Sequence, residues 1–197
     1  YSFNKDIGNW VVSNVTDMSS MFNGASSFNK DISLWDVLNI TDMSSMFNGA
    51  KDFNQDIKTK EIKVTNSQTG KEYTSWDVSN VTDMSGMFSD TNDFDQNISN
   101  WNVSNVTDMN SMFKSASSFN QYINNWDVSS VIDMKSMFNN AIDFDQDLTF
   151  WCVTNIKSQP DKFKINSKLS DENEPIWGTC PEYLNDIPNI ENSKKII

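Results

Sequence analysis

A chain of 197 residues can bury a sizeable core, but a formal net charge of −12 and an isoelectric point near 4.2 exclude the clustered cations that nucleic acid or an anionic membrane surface rewards. All 15 basic residues are Lys, with no Arg and no His. That removes the commonest general base, the commonest metal ligand and the usual bidentate carboxylate clamp, so catalysis, a metal centre and a cofactor are not expected.

The chain opens at Tyr1 in mid-pattern, without a signal peptide, which leads to the expectation of a trimmed or processed piece of a longer repeat array. No apolar run approaches the roughly 20 residues of a membrane span, and no direct membrane insertion is expected. Units begin at Phe3, Phe28, Phe53, Phe94, Phe119 and Phe144, 25 residues apart except for 41 between Phe53 and Phe94. All ten Met fall at two positions of the unit, from Met18/Met21 to Met134/Met137, and Trp10, Trp35, Trp76, Trp101, Trp126 and Trp151 hold a third.

Within a unit, Trp35-Asp36-Val37-Leu38-Asn39-Ile40 alternates as a half-buried strand does, and Met43, Met46, Phe47 and Ala50 follow the i, i+3, i+4, i+7 stripe of a short helix. Asp17, Asp42, Asp83, Asp108 and Asp133 stand just before that stripe and are read as helix caps, each worth about 1 kcal/mol. So small a unit cannot bury its own Trp, two Met and Phe; stacked copies would bury them against one another, about 4.8 Å apart. The expected fold is an α/β repeat solenoid over residues 1–156, with one short strand and one short helix per unit.

The long unit carries an insertion at 58–74. Glu61 to Val64 and Lys71 to Thr74 alternate around a turn-like Asn66 to Gly70, which predicts a projecting β-hairpin with a basic patch on an acidic protein. It is either a tolerated surface insertion or a partner contact, and Lys63, Lys71 and Tyr73 are its candidate contact residues. After Trp151 the pattern decays, and residues 157–197 are read as a cap and tail, with Phe163, Ile165, Leu169, Ile176 and Trp177 covering the last core face. Cys152 takes a position held elsewhere by Asp36, Asp77 and Asp127, pointing outward toward a returning tail, so a Cys152–Cys180 disulfide is expected to staple the cap. Two free thiols in a reducing compartment are the alternative.

The recurring F-N-x-D-I-S-x-W-D-V-S-N-V-T-D-M-S-x-M-F-x-x-A resembles the repeat of BspA-like leucine-rich-repeat surface proteins, which include mollicute surface lipoproteins. The closing Pro175-Ile176-Trp177-Gly178-Thr179-Cys180-Pro181 is similar to stretches of that family as well. The resemblance covers about residues 3–181. It implies a curved, right-handed, leucine-rich-repeat-like coil at a cell surface or outside the cell, with adhesion as the role of some members and no catalytic residues to carry over.

Asn14, Asn39, Asn80 and Asn105 form a column that reads formally as glycosylation acceptors, but an asparagine ladder bonding backbone groups between coils is the preferred reading. The stacked carboxylates could bridge calcium, although capping explains the Asp17 column without an ion, and the chain lacks the Gly-rich calcium-roll signature. Val11, Leu34 and Leu38 place apolar side chains where the repeat is polar, a candidate partner patch, and Phe150 also stands beside the Trp column. The functional expectation is a non-enzymatic recognition or adhesion module holding a protein or glycan through its repeat face and hairpin. A passive structural spacer or envelope component is the alternative. A lyase-type enzyme is disfavoured by the lack of Arg and His, and an ice-binding surface by a Thr column broken at Ile132.

Overall fold

The computed structural model describes residues 3–65 and 72–181, with side chains 61–65 left aside. It overturns the α/β solenoid. Among the described residues the only strands are β1, Lys60–Thr65, and β2, Glu72–Ser75, and the only helix is a 3₁₀ turn at Asp171–Asn173. Outside the insertion, the described residues of the repeat units form neither strand nor helix; each unit is a chain of turns, and the leucine-rich-repeat-like coil goes with that correction.

Left-handed residues are the physical reason the Met–Phe arm is not helical. Two stand in every copy, four apart: Ser20/Gly24, Ser45/Gly49, Gly86/Asp90, Ser111/Ser115 and Ser136/Asn140, all with φ between +53° and +71°. A right-handed helix cannot continue through such residues. Odd-numbered N–H groups of the first arm close i−3 turns, Met21 to Met18, Asn23 to Ser20 and Ala25 to Phe22. Its even-numbered ones cross to the next unit, Met18 to Asp42, Ser20 to Ser44, Phe22 to Met46 and Gly24 to Asn48, at 2.7–2.9 Å. With Ser19 N–H held by Asp17 Oδ1, the N–H groups of the arm are satisfied without a helix. Within the arm these crossing bonds run one way, donor in one unit and carbonyl in the next, while just outside it Thr41 N–H to Thr16 O and Asp52 N–H to Ser26 O run the other way.

The Trp arm is likewise built from turns, with Trp35 N–H on Ile32 O and Ile40 N–H on Val37 O. Neighbouring units meet there in single parallel bridges, Asp17 to Asp42, Asp42 to Asp83, Asp83 to Asp108 and Asp108 to Asp133, too short to count as strands. Each indole reaches one unit back: Trp35 Nε1 to Ile7 O, Trp76 to Ile32 O, Trp101 to Ile57 O, Trp126 to Ile98 O and Trp151 to Ile123 O.

The apolar periodicity still names the core. Trp35, Met46 and Phe47 are buried, with Met43, Phe53 and their equivalents in the inner units. Phe rings six residues apart stack face to face, as in Phe47–Phe53 at 4.0 Å and Phe88–Phe94 at 4.1 Å, and each ring continues to its counterpart one repeat away at 5.5–6.0 Å. Trp10 and Met21, in the first unit, are exposed.

The insertion emerges as an antiparallel ribbon, Lys60 opposite Ser75 and Ile62 opposite Tyr73, with an irregularity between Ile62 and Thr65. Its expected turn, Asn66 to Gly70, lies outside the described residues, as does Lys71. The ribbon leaves the stack intact: Met43, Ser45, Phe47 and Gly49 still donate to Asp83, Ser85, Met87 and Ser89 across it.

Past Trp151 the chain adds one more partial layer. Asp161, Phe163 and Ile165 carbonyls accept from Ser136, Phe138 and Asn140, and Lys162 and Asn166 repeat the left-handed pair. Phe163 ends the ring column edge-on, at 87° to Phe138, and meets Trp177 at 86°. Phe163 and Leu169 are buried and Trp177 packs against the core, whereas Ile165 and Ile176 are exposed. Lys164 ties the layer to Asp171 and, at 2.6 Å, to Glu174. Cys152 and Cys180 form the expected disulfide across a sequence separation of 28. Residues 182–197 of the expected tail lie outside the described residues.

Candidate functional site

The expected partner residues separate into distinct places. Tyr73, on β2, donates its hydroxyl to Leu34 O at 2.6 Å, so the ribbon leans onto the neighbouring repeat beside the exposed Leu34 side chain. Burial, and then the nearby Asp36 carboxylate, hold the Tyr73 phenol above its ordinary value, keeping it a donor. Leu38 is exposed in the same unit. Val11 lines an open groove of about 760 Å³ in the first unit with Trp10, Val15, Met18 and Met21; neither Leu34 nor Leu38 lines it. Lys63 sits in β1, but its side chain, like all of Lys71, is outside the described region. The basic patch is partly neutralised, because Lys60 pairs with Asp56 at 2.8 Å. Burial works against ionisation of Asp56, but that hydrogen bond, together with the Lys58 contacts, outweighs it and holds the carboxyl below the usual range.

The expected helix caps cap no helix. Oδ1 of Asp17, Asp42, Asp83, Asp108 and Asp133 accepts the backbone N–H two residues on, at 2.8 Å in every case, which closes a local turn. Burial first, and then the flanking Asp83 and Asp133, push the Asp108 carboxyl up. At Asp17 the Ser19 hydroxyl and N–H pull the carboxyl down instead. Asn39, Asn80 and Asn105 form ladder bonds, donating to Ser13, Leu38 and Ser79 carbonyls; Ser130 interrupts the column, and Asn155 donates to Ser129 O beyond it. Asn14 makes no such bond among the described residues. Among the described residues no group of three or more Asp, Glu, Cys or His could hold a metal ion, and no helix is long and apolar enough to cross a membrane.

A second groove, of about 650 Å³, escaped the residue-by-residue reading. Tyr122 and Phe150 wall it, 55% and 48% exposed, with Trp126 and the Cys152–Cys180 disulfide alongside. The sequence sets Phe150 beside the Trp column, whereas Tyr122 stands out only once the units are aligned. Reading down the column would have found it, because Tyr122 stands where the other units carry Asp6, Asp31, Asp56, Asn97 and Asp147.

The family model described as "Mycoplasma protein of unknown function, DUF285" matches residues 1–72 and 61–176. No curated protein and no solved structure matches the chain. With most of its length covered by that model, and with the Trp, Met and Phe columns of the match forming one continuous core, the chain belongs to the DUF285 family of Mycoplasma proteins.

Proposed function

We propose that this chain is a non-enzymatic recognition module at a cell surface, kin in role to the BspA-like surface proteins its repeat resembles. It engages a protein or glycan ligand through the ribbon and the repeat face beside it. The observation that carries the reading is the Tyr73–Leu34 junction. There the one inserted segment is fastened to a repeat that has exchanged polar positions for the exposed Leu34 and Leu38. A spacer has no use for leucines in place of polar residues beside a projecting ribbon, whereas a binding face does. The disulfide supports an oxidising, extracytoplasmic setting.

The test is an array of extracellular-matrix and cell-surface proteins and glycans probed with the wild-type chain, the Leu34→Asp/Leu38→Asp double variant and a chain lacking residues 59–74. A specific hit weakened at least tenfold in both altered chains supports recognition through this junction. An array blank for the folded wild-type chain favours the passive spacer.

A further inference from the structure

The groove between the fifth and sixth units is made by two departures from the repeat that act on one residue. In every other unit the acceptor three residues after the leading Phe takes the N–H two residues on: Gly8 on Asp6, Ser33 on Asp31, Lys58 on Asp56, Ser99 on Asn97 and Thr149 on Asp147. Tyr122 supplies no such acceptor, so the Asn124 N–H goes without that partner. In the fourth and fifth units the residue before Trp offers an amide to the unit behind it, Asn100 to Thr59 O at 2.7 Å and Asn125 to Ser99 O at 2.8 Å. Phe150 replaces that amide, and the carbonyl it would have met is Asn124 O, 26 positions back. The Asn124 side-chain amide forms no hydrogen bond either, although the equivalent Ser99 and Thr149 hydroxyls are bound to Asn97 and Asp147. Asn124 thus presents main-chain and side-chain donors and acceptors, all unspent, between two exposed rings.

We propose that this groove is a binding site for a neutral oligosaccharide. A pyranose has an apolar C–H face, whose partial positive charge suits the negative face of Tyr122 or Phe150, and hydroxyls that donate and accept at one point, as Asn124 does. Asp127 adds acceptor capacity at the rim. Its Oδ1 already holds the Ser129 N–H and hydroxyl, and no Lys lines the groove. On a chain of net charge −12, a carboxylated or sulfated sugar would meet only repulsion there. The volume lies within the range of small-ligand sites. An extended peptide fits less well. The alternating free main-chain groups it needs stop at Trp126, whose N–H is spent on Ile123 O.

The inference rests on the chain being a recognition module, and reversion to the repeat's own residues tests it. Tyr122→Asp and Phe150→Asn restore the missing acceptor and amide, so both variants should fold with melting temperatures no lower than wild type. A glycan array holding neutral, sialylated and sulfated oligosaccharides, followed by titration of the best neutral binder, should show wild-type binding that falls at least tenfold in each revertant. It should stay unchanged in the Leu34→Asp/Leu38→Asp variant. Binding only to charged glycans, neutral-glycan binding that survives both reversions, or no glycan binding at all overturns the proposal. So does an apolar peptide that binds in place of the sugar and is lost on reversion. A protein ligand that needs Leu34, Leu38 and the ribbon but ignores both reversions would leave the recognition reading standing while this one falls.

Discussion

Asp108 lies between two like charges, the bridge-paired Asp83 and Asp133, and its carboxyl is pushed upward by burial and by both neighbours. A carboxyl whose folded value is raised favours folding when protonated, and that contribution disappears as pH rises through the raised value. At neutral pH the ionised group is therefore a cost. Asp108→Asn keeps an oxygen for the Asn110 N–H and removes the charge. It should stabilise the protein at pH 7 by up to about 1 kcal/mol after solvent screening, with the gain shrinking in high salt and vanishing below the ordinary carboxylate range; urea melts at several pH values measure this. Trp101 argues the opposite way. Its buried indole donates to Ile57 O at 3.0 Å, so Trp101→Phe leaves a carbonyl without its donor and a void beside it. A loss of about 2–3 kcal/mol is expected in the same melts.

At the scale of elements, the ribbon is grafted onto a unit whose spacing it interrupts. Trp76 follows β2 at φ +48° and donates its N–H to Trp35 O instead of closing the i−3 turn that Trp35, Trp101 and Trp126 close. Deleting residues 59–74 joins Lys58 to Ser75 and restores the Ile-x-x-Trp spacing of the other units. The shortened chain should fold and melt within about 1 kcal/mol of wild type, since loop length itself changes stability slowly and a strained bulky residue is relieved. The ribbon was legible because period-2 alternation flanked a turn-like stretch, and the core because Trp, Met and Phe recur in fixed columns. The local conformation was not. The spacing Met43, Met46, Phe47, Ala50 reports which side chains face inward, and a helix and a series of turns bury the same positions. What separates them is the left-handed geometry at Ser45 and Gly49. A Ser gives little warning of it, because the conformation is held by hydrogen bonds to the next unit rather than by the residue's own preference. The groove at Asn124 was hidden for a related reason: it arises from partners that are missing, and these show only against the neighbouring units.

Across the whole molecule, each unit's hydrogen bonds and rings are completed by its neighbours, so stability depends on the terminal layer as much as on the middle. Phe163, Leu169 and Trp177 close the last core face, and the disulfide fixes the returning chain against it. Reduction, or Cys152→Ser with Cys180→Ser, should cost about 3 kcal/mol in the chain-entropy picture. Hydrogen exchange should then speed up first at Phe138 and Asn140, which donate into the cap, and last at Met84 and Phe88 in the middle.

The one-way run of crossing bonds has a further effect at the first unit. There the carbonyls of Asp17, Ser19, Met21 and Asn23, whose counterparts in later units each receive an N–H, form a row of acceptors with no donor interleaved. Two such rows brought together would set oxygen against oxygen in any register. Along this arm the upstream edge of a unit is therefore matched by the donor-bearing edge of another unit and not by its own twin.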